Sequence, residues 1–401
     1  MADPVIETYA VQIERLLAEP LASAAQRERE TFRQELSRSD GTVVVFGAGR
    51  LGRLCARALQ RGGVPLRAFC DGNAQRQGVV QDGVEIIAPA EAARRFPQAL
   101  FVVAIWTGTA RETMVERLAY LQQLGCAHVT SYAPLVWAHG AEEAPFHSFD
   151  LPTRTLAAAA PLRELAARLA DDASRRVLWV ALRQRLLGIF DATAPATEQY
   201  FPGDIVRLSE DEVFVDGGAF DGDTLADFVG RVGERFAHYH AFEPDAANRA
   251  RLMARVQGLP AAVRAKITIH AIALHAKSAT LSFTDQGGPT SHLGTGGNIS
   301  VRGERLDAIL AAQRLSFLKL DVEGAERAAL VGAKASIKQH RPQVAACVYH
   351  EPSDLWEIPQ LLAALLPNSR FYMRQHGFDG WEMVFYAIPS ERTQPSVTRH
   401  V

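Results

Sequence analysis

The chain has 401 residues, enough for two or three domains, and its apolar content of 48% is ordinary for a globular protein with buried cores. Its net charge of −2 gives no basic field for nucleic acid, and no apolar run reaches the roughly 20 residues that span a bilayer. The N-terminus lacks a signal-peptide pattern. The four cysteines form no CxxC pair, so we expect neither a zinc knuckle nor a disulfide framework. This cysteine usage fits a reducing compartment, and we expect a cytoplasmic protein.

The first third of the chain predicts a helical segment followed by a small parallel sheet. Apolar residues recur at helical spacing over 4–38, so we assign residues 1–40 to an N-terminal helical segment. From Thr42, the stretch TVVVFGAGRLGRLCARALQRGG reads as a buried strand, a glycine-rich turn and a helix. Because β/α alternation continues to about residue 135, residues 41–140 are predicted to form a smaller Rossmann-like domain.

The first glycine-rich turn has the pattern of a dinucleotide-binding loop. Gly47, Gly49 and Gly52 match GxGxxG between strand and helix, and Asp71 ends the next strand. The amides at the start of such a helix hold phosphate. Two interpretations stay open at this point: a nucleotide site, or a β-α-β turn that binds nothing.

Residues 141–205 are predicted to be a helical linker, and a second β/α block follows. In residues 206–390, strands are expected at 212–216, 238–243, 267–274, 315–321 and 343–350, and helices at 223–230, 245–256, 324–339 and 354–366. The stretch RFYMRQHGFDGWEMVFYAIP reads as a hairpin, so the last strand should be antiparallel to its neighbour. Residues 391–401 are assigned to a tail. The fold class is therefore α/β, with a doubly wound sheet in the second block.

The stretch VFVDGGAFDGDTL delivers an acidic residue and glycines to the end of a buried strand. A carboxylate at this position would repel a pyrophosphate but suits a ligand with a cationic amino group and a sulfonium. Glu243, at the end of the next strand, can accept hydrogen bonds from both ribose hydroxyls. Together they predict an S-adenosylmethionine site, with helix capping by Asp216 and a solvated strand end at Glu243 as the alternatives. The predicted cofactor-binding residues are Asp216, Gly217, Gly218, Ala219, Asp221, Thr224, Glu243 and Asp321.

Acidic and histidine residues lie at or just after the ends of the last two of the five predicted strands. Asp321 and Glu323, in FLKLDVEGAE, are predicted to orient the acceptor or to stabilise the sulfonium; the alternative is helix N-terminal charge. His350, after the following strand, is the leading candidate for a general base, on the expectation of a near-neutral pKa. His376 is the second candidate, with Glu382 beside it. Glu326 is expected to be structural.

Two further expectations concern metals and a long loop. Histidines near acids suggest a metal, but no tight ligand spacing supports one, so no metal site is predicted. Residues 284–300, TDQGGPTSHLGTGGNIS, are predicted to form a lid or substrate loop, with disorder as the alternative.

The motifs VFVDGGAFDGDTL, AFEPD, ERLDAIL and FLKLDVEGAERAALVGA, in this order, resemble the FkbM family of methyltransferases over about residues 205–390. The resemblance implies a class I S-adenosylmethionine-dependent fold and, usually, O-methylation of sugars or polyketides. It implies cofactor binding by Asp216, Gly218 and Glu243, and places Asp321 and Glu323 at the active site. The C-terminal stretch also resembles members that carry an extra N-terminal domain.

The N-terminal block is similar to the small Rossmann-like modules of nucleotide-sugar acyltransferases, in FCDGNAQRQGVVQDGVEIIAP. We therefore expect a methyltransferase that acts on a hydroxyl of a saccharide or related metabolite, with no nucleic-acid partner and no membrane span. The helical segments at 4–38 and 160–190 are candidates for pairing subunits in a homo-oligomer. The alternatives are an NAD(P)-dependent oxidoreductase that uses the first turn, and a non-catalytic nucleotide-sugar binding protein.

Overall fold

The computed structural model describes residues 7–108, 112–284, 292–293, 299–311 and 313–392. The chain divides into two compact units. The first comprises the chain up to Ala167 together with Arg175–Ala196 and Gln375–Glu382. The second comprises Arg168–Ser174, Thr197–Arg374 and the chain from Met383 onward. Each unit therefore contains segments that are distant in sequence.

The first unit contains a six-stranded sheet in the order β3-β4-β2-β1-β5-β6, in which all pairings are parallel except that of β3 with β4. Its core is dominated by the apolar runs of β1 and β5, which are fully buried as expected of central parallel strands. The elements are α1 Tyr9–Leu17, α2 Leu21–Leu36, β1 Val43–Phe46, α3 Arg50–Arg61, β2 Leu66–Cys70, β3 Val80–Gln81, β4 Val84–Ile87, α4 Pro89–Arg95, β5 Leu100–Val103, α5 Met114–Gln123, β6 His128–Ser131 and α6 Ala133–His139.

The single helix expected over residues 4–38 is two helices in the structure. Helix α1 ends at Leu17, and α2 begins at Leu21 after Pro20, whose backbone is extended. Proline lacks an amide hydrogen and its ring clashes with the preceding turn, so it starts a helix more readily than it continues one. The helical pattern was correct, but Pro20 divides it.

The segment after the first sheet is helical, as predicted, with α7 Pro152–Ala157, α8 Ala159–Arg168 and α9 Asp172–Leu187. None of the helices in the described residues is long and apolar enough to cross a membrane. All four cysteines are buried free thiols.

The second unit is built on a seven-stranded sheet in the order β16-β17-β15-β14-β7-β8-β9. Its central pairings are parallel, and β17 pairs antiparallel with β15. The elements of this unit are β7 Val213–Gly217, α10 Asp223–Val232, β8 His238–Phe242, α11 Ala246–Gln257, α12 Ala261–Arg264, β9 Ile267–His270, β10 Ala273–Leu274, β11 Ala279–Thr284, β12 His292–Leu293, β13 Ile299–Glu304, α13 Leu306–Leu310, β14 Phe317–Leu320, α14 Glu326–Gly332, α15 Lys334–His340, β15 Gln343–Cys347, α16 Asp354–Leu365, β16 Ser369–Gln375 and β17 Met383–Pro389, followed by a 3₁₀ turn at Ser390–Arg392.

This arrangement confirms the predicted α/β class with a doubly wound sheet and an antiparallel last strand. Two element boundaries differ from the expectation. The strand predicted at 267–274 is divided between β9 in the large sheet and β10 in a separate four-stranded sheet, β10-β13-β11-β12. The helix predicted at 324–339 is divided into α14 and α15 at Ala333. Gly332 lies so close to the His275 carbonyl that a Cβ would be 2.0 Å from its oxygen, and this packing constrains the chain there.

Most of the predicted lid or substrate loop at 284–300 lies outside the described residues, as do residues 1–6 and most of the predicted tail. The described parts of the loop region are the ends of β11 and β13 and the short strand β12. The function assigned to this loop stays a prediction.

Candidate functional site

The order in which successive strands join the seven-stranded sheet reverses between the parallel neighbours β7 and β14. From β7 the chain continues outward through β8 and β9, whereas β14 and β15 lie on the other side of β7. Ligands of open α/β sheets bind at the carboxyl ends of the strands beside such a switch point. The strand ends meet there because Gly217 of β7 is the register partner of Leu320 of β14. The turns that follow these two residues therefore lie side by side.

The glycine turn after β7 is shaped by close packing against the turn after β14. Gly218 has a φ of +78°, and a Cβ there would lie 1.8 Å from the backbone oxygen of Asp321. A Cβ at Gly217 would contact the Leu320 side chain at 2.9 Å. Gly222 has a φ of +87° and precedes α10. The close packing and the positive φ angles require glycine at these positions. Because glycine has no side chain, the backbone of the turn is also left uncovered.

Asp216 lies at the end of β7 and is fully buried, with its carboxylate paired to a lysine of β14. Lys319 Nζ lies 2.9 Å from Asp216 Oδ1 and donates hydrogen bonds to the backbone oxygens of Gly217 and Gly218. The Tyr239 hydroxyl donates to Asp216 Oδ2 at 2.6 Å. Burial opposes the charge of Lys319, but the Asp216 and Asp321 carboxylates raise its pKa above the ordinary value. Asp216 thus supports the turn through Lys319, which it pairs with and which bonds the turn's backbone oxygens.

Sequence reasoning missed Lys319. The signal was present, because Lys319 and Asp216 are register partners on adjacent strands that are otherwise apolar. A lysine in the middle of the buried run FLKL needs a counter-charge. The nearest buried acid in a neighbouring strand is the one at the end of VFVD.

Glu243 follows β8 and connects it to the glycine turn. Its Oε2 accepts a hydrogen bond from the Phe220 amide at 2.9 Å, and its Oε1 accepts one from the Asp245 amide at 2.8 Å. The residue is 5% exposed. Burial raises the pKa of Glu243 to about 7, although both hydrogen bonds act in the opposite direction. Each carboxylate oxygen keeps a lone pair for a further donor.

The other predicted cofactor residues lie around the start of α10. Ala219 is fully buried. Asp221 accepts a hydrogen bond from the Asp223 amide at 3.1 Å and pairs with Arg255 at 3.3 Å. Thr224 is buried in the first turn of the helix. The structure therefore brings the predicted residues of 216–224 together with Glu243 at one edge of the sheet.

The acidic and histidine residues after β14 and β15 form a second group. The buried His350 imidazole lies 2.9 Å from Glu326 through Nδ1, and its Nε2 lies 3.5 Å from both Asp321 Oδ1 and Glu323 Oε2. Glu326 is fully buried and also accepts hydrogen bonds from the Val322 and Gly324 amides. Glu326 is thus structural, as expected, since it holds both the 322–324 turn and the imidazole.

The environment of His350 differs from the expected one. Burial lowers the pKa of an imidazole, but the carboxylates of Glu326, Glu323 and Asp321 outweigh it and raise the pKa of His350 well above the ordinary value. The near-neutral pKa expected from the sequence is therefore wrong for this state of the protein. A raised pKa favours the protonated imidazole, which is a poor general base.

A tyrosine that sequence reasoning did not select contacts the same group. The Tyr200 hydroxyl donates a hydrogen bond to Asp321 Oδ2 at 2.7 Å, and its ring lies 5.1 Å from Lys319 Nζ. The Tyr386 hydroxyl accepts a hydrogen bond from the Tyr200 amide at 3.2 Å. Tyr200 has a φ of +67°, which is uncommon for a residue other than glycine. Its position in the segment TEQYFPGD gave no signal, because the contacts come from strands more than 100 residues away.

His376 and Glu382 lie in the segment between β16 and β17, which belongs to the first unit. His376 Nδ1 lies 3.0 Å from the backbone oxygen of Ala196, and its amide donates to the backbone oxygen of Glu382 at 2.9 Å. This contact joins the two backbones and does not test a joint role of the His376 and Glu382 side chains. A catalytic role for His376 stays a prediction.

The residues of the first glycine turn are also brought together. A Cβ at Gly52 would lie 2.0 Å from the Gly47 backbone oxygen, so this glycine permits the close approach of helix and strand. Asp71 Oδ2 accepts a hydrogen bond from the Ala48 amide at 3.1 Å and pairs with Arg76 at 3.3 Å. Gly49 has open space at its Cβ position, with the nearest atom 3.9 Å away on Arg76. Nucleotide binding by this turn stays a prediction.

Comparisons with known proteins identify similar sequences and structures for part or most of the chain. The family model described as the methyltransferase FkbM domain matches residues 216–379. The crystal structure of methyltransferase FkbM from Methylobacillus flagellatus KT is 21% identical, with a TM-score of 0.75 over 94% of this chain and 98% of that one. No curated protein matches the chain.

A putative rRNA-methylase from Clostridium thermocellum is 9% identical, with a TM-score of 0.31 over 45% of this chain and 87% of that one. A similarity of that size carries no argument about the fold. The matched family model begins at Asp216, the first residue of the glycine turn, and includes Glu243 and the group around His350. Residues 216–379 therefore match the methyltransferase FkbM domain.

Proposed function

We propose that the protein is an S-adenosylmethionine-dependent methyltransferase that O-methylates a hydroxyl of a saccharide or a related metabolite. The observation that carries the proposal is the contact between the two turns at the switch point. Gly218 of the first turn packs directly on the Asp321 backbone of the second. A cofactor held at the glycine turn and Glu243 would thus lie beside the acidic group that contains Asp321, Glu323 and His350.

The residues present fit the proposed cofactor. The lone pairs left on the Glu243 carboxylate suit two ribose hydroxyls, and ionised Glu243 is the form that accepts them. Asp321 and Glu323 are partly exposed carboxylates that attract a positively charged ligand. When bound, S-adenosylmethionine supplies an electrophilic methyl group on a sulfonium. Asp216 and Lys319 would support the turn rather than contact the cofactor.

The chain's own contribution is mainly orientation of the two reactants. Asp321 and Glu323 would accept a hydrogen bond from the acceptor hydroxyl and direct its oxygen towards the cofactor side of the sheet. As the oxygen takes the methyl group and the sulfonium becomes a thioether, one of these carboxylates would take the hydroxyl proton. His350, held by Glu326, would fix the positions of both carboxylates. We therefore assign His350 a positioning role in place of the general base expected from the sequence.

The first test is calorimetric titration of the full chain with S-adenosylmethionine, S-adenosylhomocysteine and NADH. We expect the first two to bind with one-to-one stoichiometry, and Glu243→Gln to weaken both. Glu210→Gln is the matched control, because Glu210 is an exposed glutamate that pairs with Arg235 away from the site. Transfer of a labelled methyl group to a panel of saccharides then tests the acceptor class. Binding of NADH alone would overturn the proposal in favour of an oxidoreductase.

The geometry of the first glycine turn favours a second, separate ligand site for a nucleotide or nucleotide sugar. Gly49→Ala adds a methyl group into open space at a residue with a negative φ, so the fold should tolerate it. The same methyl group would block a phosphate that packs against the turn. We expect Gly49→Ala to abolish binding of a uridine diphosphate sugar or NADH, and Gly72→Ala, another open position, to retain it. Equal binding by both variants would contradict a site at this turn.

A further inference from the structure

The group around His350 contains two buried polar atoms that lie 3.5 Å apart and form no hydrogen bond. His350 is 6% exposed, and its Nε2 has no hydrogen-bond partner in the structure. Asp321 Oδ1, 3.5 Å away, has none either. Buried polar atoms are nearly always satisfied, so a facing pair of unsatisfied atoms requires an explanation.

The separation of these atoms matches that of two ligands on one cation. Ligand atoms bound at about 2.0–2.2 Å in a tetrahedral arrangement lie about 3.4 Å apart. Glu323 Oε2 is also 3.5 Å from His350 Nε2. One ligand atom each from Asp321, Glu326 and His350 lie within 4.8 Å of one another. Imidazole and carboxylate together are a donor set for transition-metal cations rather than for Mg²⁺ alone.

The remaining contacts of His350 are those of a metal-bound histidine. Its Nδ1 lies 2.9 Å from the Glu326 carboxylate, which two backbone amides hold in place. In metal-ligating histidines, the N–H of the second ring nitrogen characteristically donates a hydrogen bond to such a carboxylate, which fixes the tautomer and the ring orientation. Thus Glu326 would leave Nε2 as the ligand atom, directed at Asp321.

We propose that Asp321 and His350 bind a divalent transition-metal cation, Mn²⁺ or Zn²⁺, with Glu326 orienting the imidazole. Glu323, whose Oε2 also lies 3.5 Å from His350 Nε2 and whose side chain is 30% exposed, would be the third ligand. A bound cation would lie between the buried atoms Asp321 Oδ1 and His350 Nε2. An acceptor hydroxyl that reached it from the side of the partly exposed Glu323 would have its pKa lowered. Only this catalytic use rests on the proposed methyltransferase function; the metal site itself does not.

The test is a titration of metal-free full-length protein with Mn²⁺, followed by electron paramagnetic resonance, and with Zn²⁺, followed by calorimetry. We expect one saturable site, with affinity lowered at least about tenfold in Asp321→Asn and in His350→Gln, and lowered also in Glu326→Gln. Glu210→Gln should bind as the wild type does. Melting temperatures of the variants identify any that fail to fold, and Asp321→Asn, the smallest change, then decides.

Absence of saturable binding of either metal would overturn the proposal and leave an imidazolium bridge between the carboxylates. Unchanged affinity in folded Asp321→Asn would overturn it as well. Titration with S-adenosylmethionine in the presence of EDTA separates the two proposals. Cofactor binding without a metal site would refute only this inference, whereas a metal site without cofactor binding would refute only the proposed function.

Discussion

Lys319 and Asp216 show how single residues support the site from inside the sheet. Lys319 is 2% exposed and Asp216 is fully buried, so each is the main counter-charge of the other. Removing one member of a buried pair leaves an uncompensated charge, whereas replacing both is tolerated better. The stability of the carboxyl edge should therefore depend on the pair rather than on either residue.

Lys319→Met should lower the free energy of unfolding by about 3–5 kcal/mol, because it leaves the Asp216 carboxylate buried without its cation. Urea unfolding followed by circular dichroism measures the loss. The double variant Asp216→Asn/Lys319→Met should recover part of it. A loss in Lys319→Met no larger than that in the double variant would show that the ion pair does not control stability here.

Glu243 gives a pH dependence to the proposed cofactor site. Burial raises its pKa to about 7, so the carboxyl is mostly protonated below that pH and ionised above it. Because ribose hydroxyls donate to the ionised form, S-adenosylmethionine should bind more tightly at pH 8 than at pH 6. The effect of Glu243 on folding has the opposite pH dependence. Because its pKa is raised from 4.5 to about 7 on folding, the stability that the protonated carboxyl contributes is fully present below pH 4.5 and is lost as the pH rises through 7.

Calorimetry at pH 6, 7 and 8 checks this expectation. Glu243→Gln cannot ionise, so its binding should be weaker at pH 8 and lack the increase, while Glu210→Gln should retain it. The same pH dependence in wild type and Glu243→Gln would assign the titration to another group and remove Glu243 from the cofactor site.

At the level of elements, the packing of two turns decides the shape of the site. The turn after β7 has no room for a side chain at Gly218, since the Asp321 backbone occupies that space. In contrast, Gly230 lies within helix α10 and has nothing within 4 Å of its Cβ position. Although the two glycines are only 12 positions apart, their replacement by alanine should change the stability of the protein in opposite directions.

A positive φ at a residue other than glycine costs about 1–3 kcal/mol, and in Gly218→Ala the clash with Asp321 adds to that cost. The loss of stability should therefore exceed the cost of the positive φ alone. The substitution should also abolish cofactor binding, since the turn must move. Gly230→Ala should stabilise by about 0.5–1 kcal/mol as a helix-interior replacement and bind cofactor normally. Thermal unfolding and calorimetry of both variants test this; a Gly218→Ala protein with wild-type stability and binding would contradict the packing seen at the switch point.

At the scale of the whole molecule, the first unit is completed by a segment from near the C-terminus. Gln375–Glu382 lies between β16 and β17, strands of the seven-stranded sheet, but packs with the first unit. The Trp106 indole donates a hydrogen bond to the Asp379 backbone oxygen at 2.9 Å, and the Met114 amide donates to its carboxylate at 2.7 Å. The segment therefore satisfies buried donors of the N-terminal sequence.

Asp379→Ala should destabilise the first unit by about 1–3 kcal/mol, because the buried Met114 amide at the start of α5 loses its acceptor. Asp227→Ala is a suitable control, since Asp227 forms an exposed pair with Arg231 worth at most about 0.5 kcal/mol. Differential scanning calorimetry measures both. Equal melting temperatures for the two variants would mean that the first unit does not depend on this C-terminal segment.

Local patterns were sufficient to predict much of the fold. Apolar runs ending in Asp216, Glu243 and Asp321 predicted strands whose carboxyl ends carry acids, and the parallel sheet gathers these ends at one edge. Glycine turns and the final hairpin followed from conformational rules that act over a few residues. The helical pattern continues across Pro20 and Ala333, but proline at the first position and close packing of Gly332 beside the second divide the helix. The two predicted helices were therefore too long.

The sequence by itself determined the α/β class, the two glycine turns and the residues delivered to the strand ends, because strand and helix periodicity and glycine chemistry are local properties. Only the tertiary structure decided what those residues contact. It paired Asp216 with Lys319, brought Tyr200 to Asp321 and surrounded His350 with three carboxylates. The charge state of His350 and the unsatisfied atoms beside it depend on burial and on distances between strands, which no local pattern encodes.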